Sequence, residues 1–271
     1  MTPTDRDIPI PPRPDLPLPA PATAERPSHR ARWIAVLAAA LAVAISGAAI
    51  AWSGDHVSGE FRFLGTLPNG APFRWNPCQP IHYEVNLAHA PAPALADVRE
   101  AVGRVSEATG IAFAYDGETV RTPDQQIGSA FQTTVPGHAR WLPLLFAWVP
   151  HQHFDFIVDT HRAAAFGLPD RGDGDLSNTY VSGVIAVDAG GPLPPGFAGR
   201  YSLGPVLMHE LGHILGLAHV GSAHELMWSP DVKGADEVPD LHQSDWGPGD
   251  LEGLAQLGRS AGCLPARDPP V

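Results

Sequence analysis

Residues 209–219 read HELGHILGLAH. Two histidines stand four apart, a glutamate follows the first, and a glycine lies three past the second. A third histidine lies three past the glycine. Helical residues four apart share a face, so the spacing predicts His209 and His213 side by side, able to reach one ion. Glu210 then flanks that ion without having to bind it. Gly216 can adopt the left-handed conformation that ends a helix, and the turn brings His219 back as a third ligand. Three neutral imidazoles with an open fourth position describe a catalytic zinc rather than a structural one. Water in the fourth position becomes acidic, and Glu210 is placed to take its proton as general base. A lone His-Glu-x-x-His also fits a helix whose histidines cap or hydrogen-bond locally. The third histidine and the glycine at this offset argue against that reading.

The stretch resembles the extended zinc signature of the metzincin peptidases. Metzincins also carry a methionine turn beneath the metal, and HELMWSP (224–230) supplies Met227. The offset of Met227 from His219, with Pro230 soon after, resembles the matrixin branch. The flanks resemble it too: NGAPFRWNPCQPIHYEVN (69–86) is similar to the first strand of small bacterial matrixin-like peptidases, and WGPGDLEGLAQLG (246–258) to their C-terminal helix. The resemblance implies an α+β, zincin-like catalytic domain over residues 71–271. It would have a twisted mixed sheet, an active-site helix carrying the ligands, and a C-terminal helix. It also implies a shallow cleft whose upper rim is an edge strand that pairs with extended peptide. His224 beside the methionine turn is not implied as a ligand, because the family keeps that turn below the metal.

Departures from the family raise separate expectations. No stretch before the domain is long enough for a folded propeptide bearing a metal-plugging cysteine. The early cysteine, Cys78, is either a switch ligand or half of a disulfide with Cys263. An even cysteine count in an exported domain favours the bridge, which would stabilise by roughly 4 kcal/mol if unstrained. A structural zinc or Ca2+ is a weaker expectation. HQHFD (151–155), His161 and DRGDGD (170–175) lie in the corresponding region, but their spacing matches surface polarity better than the family's ligands. Asp188 reads as structural, and nothing in the spacing selects Tyr180 or Tyr201 as an oxyanion donor.

The rest of the chain sets the context. Residues 1–32 are proline-rich and poor in large apolar groups, the composition of a disordered leader. No charge occurs in WIAVLAAALAVAISGAAIAW (33–52), a run long enough to span a bilayer, with Trp33 and Trp52 at the interfacial ends. Arg26, Arg30 and Arg32 precede it, so the positive-inside rule predicts a cytoplasmic N-terminus and an exported remainder. A signal peptide cleaved after AIA (49–51) would export the remainder as well. Residues 53–70 read as a stalk. A formal net charge of -12 excludes a nucleic-acid partner as the main expectation.

Within the domain, alternation or composition predicts strands at 80–87, 110–117, 154–160 and 179–189. Helices are expected at 94–109, from near Ser202 through the histidine motif, and at 248–259. The expected function is a zinc metalloendopeptidase acting on exported proteins or peptides. The alternatives are a catalytically inactive peptide-binding module and a zinc hydrolase of a non-peptide bond. Glu210 favours an enzyme, since a degenerate peptidase loses its base before its ligands.

Overall fold

A computed structural model describes residues 60–127, 131–135, 138–157, 164–172, 176–191, 193–237 and 242–265. In chain order the elements are β1 (Arg62–Phe63), β2 (Ile81–Asn86), α1 (Ala94–Thr109), β3 (Phe113–Glu118), α2 (Pro123–Gln126), β4 (Phe131–Val135), β5 (His138–Trp141), β6 (Leu144–Val149) and α3 (His151–Ile157). There follow β7 (Ala165–Arg171), β8 (Tyr180–Asp188), α4 (Leu203–Leu215), β9 (Leu217–Ala218) and α5 (Pro248–Leu257), which a short 3-10 turn extends.

The fold is a mixed α/β arrangement around one five-stranded sheet, ordered β3-β2-β6-β8-β7. Neighbouring strands from β3 to β8 run parallel, and β7 joins β8 antiparallel as the edge. The central strand β6, LLFAWV, is buried throughout. Its residues alternate between two cores. Leu144, Phe146 and Trp148 enter the main core, which α1 and α4 cover, while Leu145, Ala147 and Val149 join Phe154, Phe166, Val184 and Ala186 on the other face. Helix α1 turns Val98, Ala101, Val102 and Val105 inward, at the spacing of one helical face, and ends at Gly110 in the left-handed conformation.

Helix α4 is buried at every residue, the pattern of a helix enclosed on all sides. Ser202 occupies its N-cap position but its hydroxyl donates backward to the Gly199 carbonyl. The exposed amides of the first turn are met by the preceding loop instead: Leu203 N–H donates to Pro194 and Gly204 N–H to Gly196.

The strand expected at 154–160 is not formed where described, because residues 151–157 are helical. The Pro150 carbonyl accepts from the amides of His153 and Phe154, which starts a helical turn, and Phe154 anchors it in the second core. Strand β3 covers 113–118 rather than 110–117. The strand expected at 179–189 is a single continuous one, β8. The folded part begins before residue 71: Phe61 and Phe63 pack against the main core, and β1 pairs antiparallel with β9. The apolar run 33–52 and the leader 1–32 lie outside the described residues. Among the described residues, no helix is long and apolar enough to cross a membrane.

Candidate metal centre

His209 and His213 project from α4 one turn apart. Gly216 ends that helix at φ 119°, a left-handed value that L side chains adopt only with strain. The reversal carries the chain through β9 to His219. The three imidazoles converge, with Nε2 of His219 standing 3.1 Å from Nε2 of both His209 and His213. Among the described residues they form the one group of three or more such side chains close enough to hold a metal ion.

Hydrogen bonding fixes which nitrogens point inward. Nδ1 of His209 lies 2.8 Å from the Leu226 carbonyl, and Nδ1 of His213 lies 2.8 Å from the Leu217 carbonyl. A carbonyl only accepts, so each Nδ1 carries the proton and each Nε2 presents a lone pair to the centre. Burial, followed by the neighbouring His213, pushes His209 down to about 3, and burial pushes His213 down to about 4. Burial also carries His219 well below its ordinary value. Neutral imidazoles with converging lone pairs are the donor set that zinc takes. Tetrahedral zinc with bonds of about 2.0–2.1 Å spaces its ligands by about 3.3 Å, close to the spacing here. The residues therefore fit a zinc ion.

Glu210 is buried on the sheet-facing side of the same helix. Its carboxylate accepts from the backbone amide of Gly167 in edge strand β7, and its Oε2 has no protein partner. Burial pushes Glu210 up to about 8, with the Gly167 bond opposing. The approach of β7 is close: a Cβ on Gly167 would sit 2.5 Å from the Glu210 carbonyl oxygen. Edge strand β7, Glu210 and the histidine-bearing helix α4 are thus one packed unit.

Met227 lies beneath α4, buried, with its Sδ against Gly212, where a Cβ would come within 2.5 Å. A polar frame that sequence reading did not identify holds this turn. Arg200, buried, donates to the carbonyls of Ala223, Glu225 and Leu226. Asp250, at the start of α5, accepts from the amides of Leu226 and Gly247 at 2.5 and 3.0 Å and from Met227 at 3.4 Å. The Glu225 carboxylate accepts in turn from the Asp250 amide. Only burial reveals these residues, because an arginine or aspartate at such positions in a sequence reads as surface.

The remaining expected residues fall elsewhere. Cys78 and Cys263 are joined as a disulfide. His224 is exposed and outside the histidine cluster. Asp188 pairs with His151 Nδ1 at 2.7 Å and accepts from the Gly190 amide. Tyr180 is buried against Gly216, and burial pushes its phenol up to about 12. His161 and residues 173–175 lie outside the described residues.

No protein-family model matches the chain, and no curated protein matches it. Among solved structures, the chain is similar to an archaemetzincin from Methanopyrus kandleri, at 15% identity and a TM-score of 0.37, over 70% of this chain and 97% of that one. It is also similar to metalloproteinase-II from Bacteroides fragilis, at 14% identity and a TM-score of 0.31, over 71% of this chain and 60% of that one. At these TM-scores neither likeness carries an argument, and the reading of the site rests on its own residues.

Proposed function

We propose that the protein is a metzincin-type, matrixin-like zinc endopeptidase. In this reading residues 33–52 tether it to the membrane, and its catalytic domain acts on exported proteins or peptides outside. One observation carries the chemistry. A buried carboxylate, Glu210, lies next in sequence to a ligand of a three-imidazole centre, with one oxygen held by the Gly167 amide and the other free of protein partners.

His209, His213 and His219 would hold a zinc ion, which would supply Lewis acidity toward a water molecule and a substrate carbonyl. Burial favours the protonated form of Glu210, while a cation beside it favours the carboxylate, the form a base needs. Glu210 takes a proton as the water oxygen bonds to the carbonyl carbon. It returns that proton to the amide nitrogen as the C–N bond breaks. Gly167 fixes the carboxylate through these transfers. Met227 with its frame of Arg200, Glu225 and Asp250 keeps the floor under the histidines rigid.

Metal analysis and a paired-variant assay test the reading. The purified full chain should carry one zinc, and His213→Ala should lose it. Glu210→Gln should keep zinc and fold, yet lose about 100- to 10,000-fold of its rate on casein or a peptide library. Retention of more than about a tenth of the rate by Glu210→Gln overturns the assigned base. A zinc-loaded wild type that cleaves no peptide overturns the peptidase reading.

A further inference from the structure

The described chain enters the fold through Phe61–Gly65, a stretch that composition alone assigns to a stalk. Its backbone pairs with the reversal that follows the zinc helix: Arg62 lies opposite Ala218 and Phe63 opposite Leu217, antiparallel. The Leu64 amide adds a bond of 2.8 Å to the Gly216 carbonyl. Phe61 packs against α5 so closely that a Cβ on Gly253 would lie 2.8 Å from the Phe61 Cβ. The entering strand, the last helix and residues 216–218 therefore pack on one another, with Leu217 Cδ2 itself 2.7 Å from that Gly253 Cβ position.

Those three residues serve both later ligands. The Leu217 carbonyl accepts from His213 Nδ1 and so sets the ring's rotation and tautomer. Ala218 leads directly to His219, which is only half-buried and belongs to no helix or strand. A two-residue strand cannot hold itself in place, because its ladder bonds need a partner. Arg62–Phe63 is that partner.

We infer that Phe61–Gly65 is a positioning element of the metal centre, pinning the Gly216–Ala218 reversal so that His213 and His219 meet His209 at the ion. The inference rests on the zinc reading above. It gives the segment a role that a stalk does not have: whatever displaces these residues, such as a proteolytic cut within them, loosens the centre without touching a ligand.

The test measures zinc affinity in the full-length chain by competition with a chromophoric chelator, beside the melting temperature of the zinc-free protein. Leu64→Pro removes the amide that bonds Gly216. Phe63→Ala removes a side chain that packs this strand on the core, and takes the place of Leu64→Pro should the proline variant not fold. Val105→Ala, in the buried core face of α1, is the control for a general loss of stability. Leu64→Pro should bind zinc at least tenfold more weakly than wild type, the scale expected when a ligand's supporting partner is lost. Phe63→Ala should weaken zinc about threefold or more. The visible absorption of the cobalt-loaded protein should change in both, whereas Val105→Ala should melt lower with an unaltered cobalt spectrum. A folded Leu64→Pro that binds zinc as tightly as wild type overturns the inference. So does a loss of affinity in Val105→Ala that matches the clamp variants at equal melting temperature. If the wild type itself binds no zinc, the metal reading fails, and the positioning role falls with it.

Discussion

The Gly167 amide donates to the Glu210 carboxylate while the Gly167 α-carbon rests against the Glu210 backbone, so that a Cβ there would come 2.5 Å from the Glu210 carbonyl oxygen and 3.1 Å from its carbonyl carbon. The obstacle is backbone, which cannot swing aside as a side chain can. Gly167→Ala should therefore push β7 away from α4. Overpacking of this kind costs about 1–3 kcal/mol, visible as a lowered melting temperature. The larger effect should fall on turnover, because the displaced amide is the one that fixes the base. A shift of about 1 Å in such a group costs on the order of 100-fold in rate. Zinc content should remain normal, since no ligand moves. A Gly167→Ala variant with the wild-type kcat would detach the edge strand from the chemistry.

The eleven residues of the motif made the centre legible because helix geometry converts their spacing into positions without knowledge of the rest of the fold. Gly216 was legible for the same reason, since it sits at a fixed offset along the chain from His213, whereas Met227 was legible only through the resemblance to the metzincin signature. Central strand β6 was not. LLFAWV is apolar on both faces because both faces are buried, so it shows no alternation. FDFIVDT looked like a strand because phenylalanine, isoleucine and valine favour one, and the helix that Pro150 starts overrides that local preference. Gly167, Arg200 and Asp250 act through residues distant in sequence, so no local pattern marks them.

Arg200 donates to three carbonyls of the methionine turn, those of Ala223, Glu225 and Leu226, and shares the last with His209. Arg200→Met keeps much of the volume and leaves three buried carbonyls short of a donor. The turn should loosen, and His209 should lose the fixed acceptor that orients its ring. Losing an outer partner of a metal ligand costs about 10- to 100-fold in affinity. Competition with a chelator should register a loss of that size. An unchanged affinity would show that His209 alone holds the Leu226 carbonyl in place.

The zinc-free protein should lose stability as pH rises above neutrality. Asp250 is pushed up to about 7 and Glu210 to about 8, in both cases chiefly by burial. A raised acid binds more protons folded than unfolded, so its contribution is full below the unfolded value and is lost as pH rises through the folded one. The histidines act in the opposite sense at lower pH. With folded values of about 3 for His209 and about 4 for His213, stability falls as pH drops below about 6.5. Between about 6.5 and 8.5, then, only the buried acids contribute, and the melting temperature of chelated protein should decline. Glu210→Gln should flatten the upper part of that decline and Asp250→Asn the lower part. A flat wild-type profile across this window would place both carboxylates in a wetter setting than their burial implies.

The disulfide decides between two roles for Cys78, and the decision can be measured. The bridge to Cys263 closes a separation of 185 residues. It sits within a set of contacts that fasten the C-terminal end beside β2: Arg74 donates to the carbonyls of Ala261 and Gly262, and the Leu264 amide donates to Asn76 Oδ1. Chain-entropy arguments give a bridge across so long a loop about 4–5 kcal/mol. A staple and a switch respond oppositely to reductant. If the Cys78 thiol were a ligand waiting to plug the metal, reduction would free it and inhibit the enzyme. If it is a staple, reduction lowers the melting temperature and leaves both zinc affinity and the rate at low temperature unchanged. The double variant Cys78→Ser, Cys263→Ser separates the two without reductant, since it has neither bridge nor thiol. It should melt well below wild type, bind zinc equally and cleave peptide equally at a temperature where both stay folded. Mass spectrometry of the unreduced protein should show one bridged peptide pair joining residues 78 and 263. Two free thiols, or inhibition of the wild type by reductant that the double serine variant escapes, would return Cys78 to the metal.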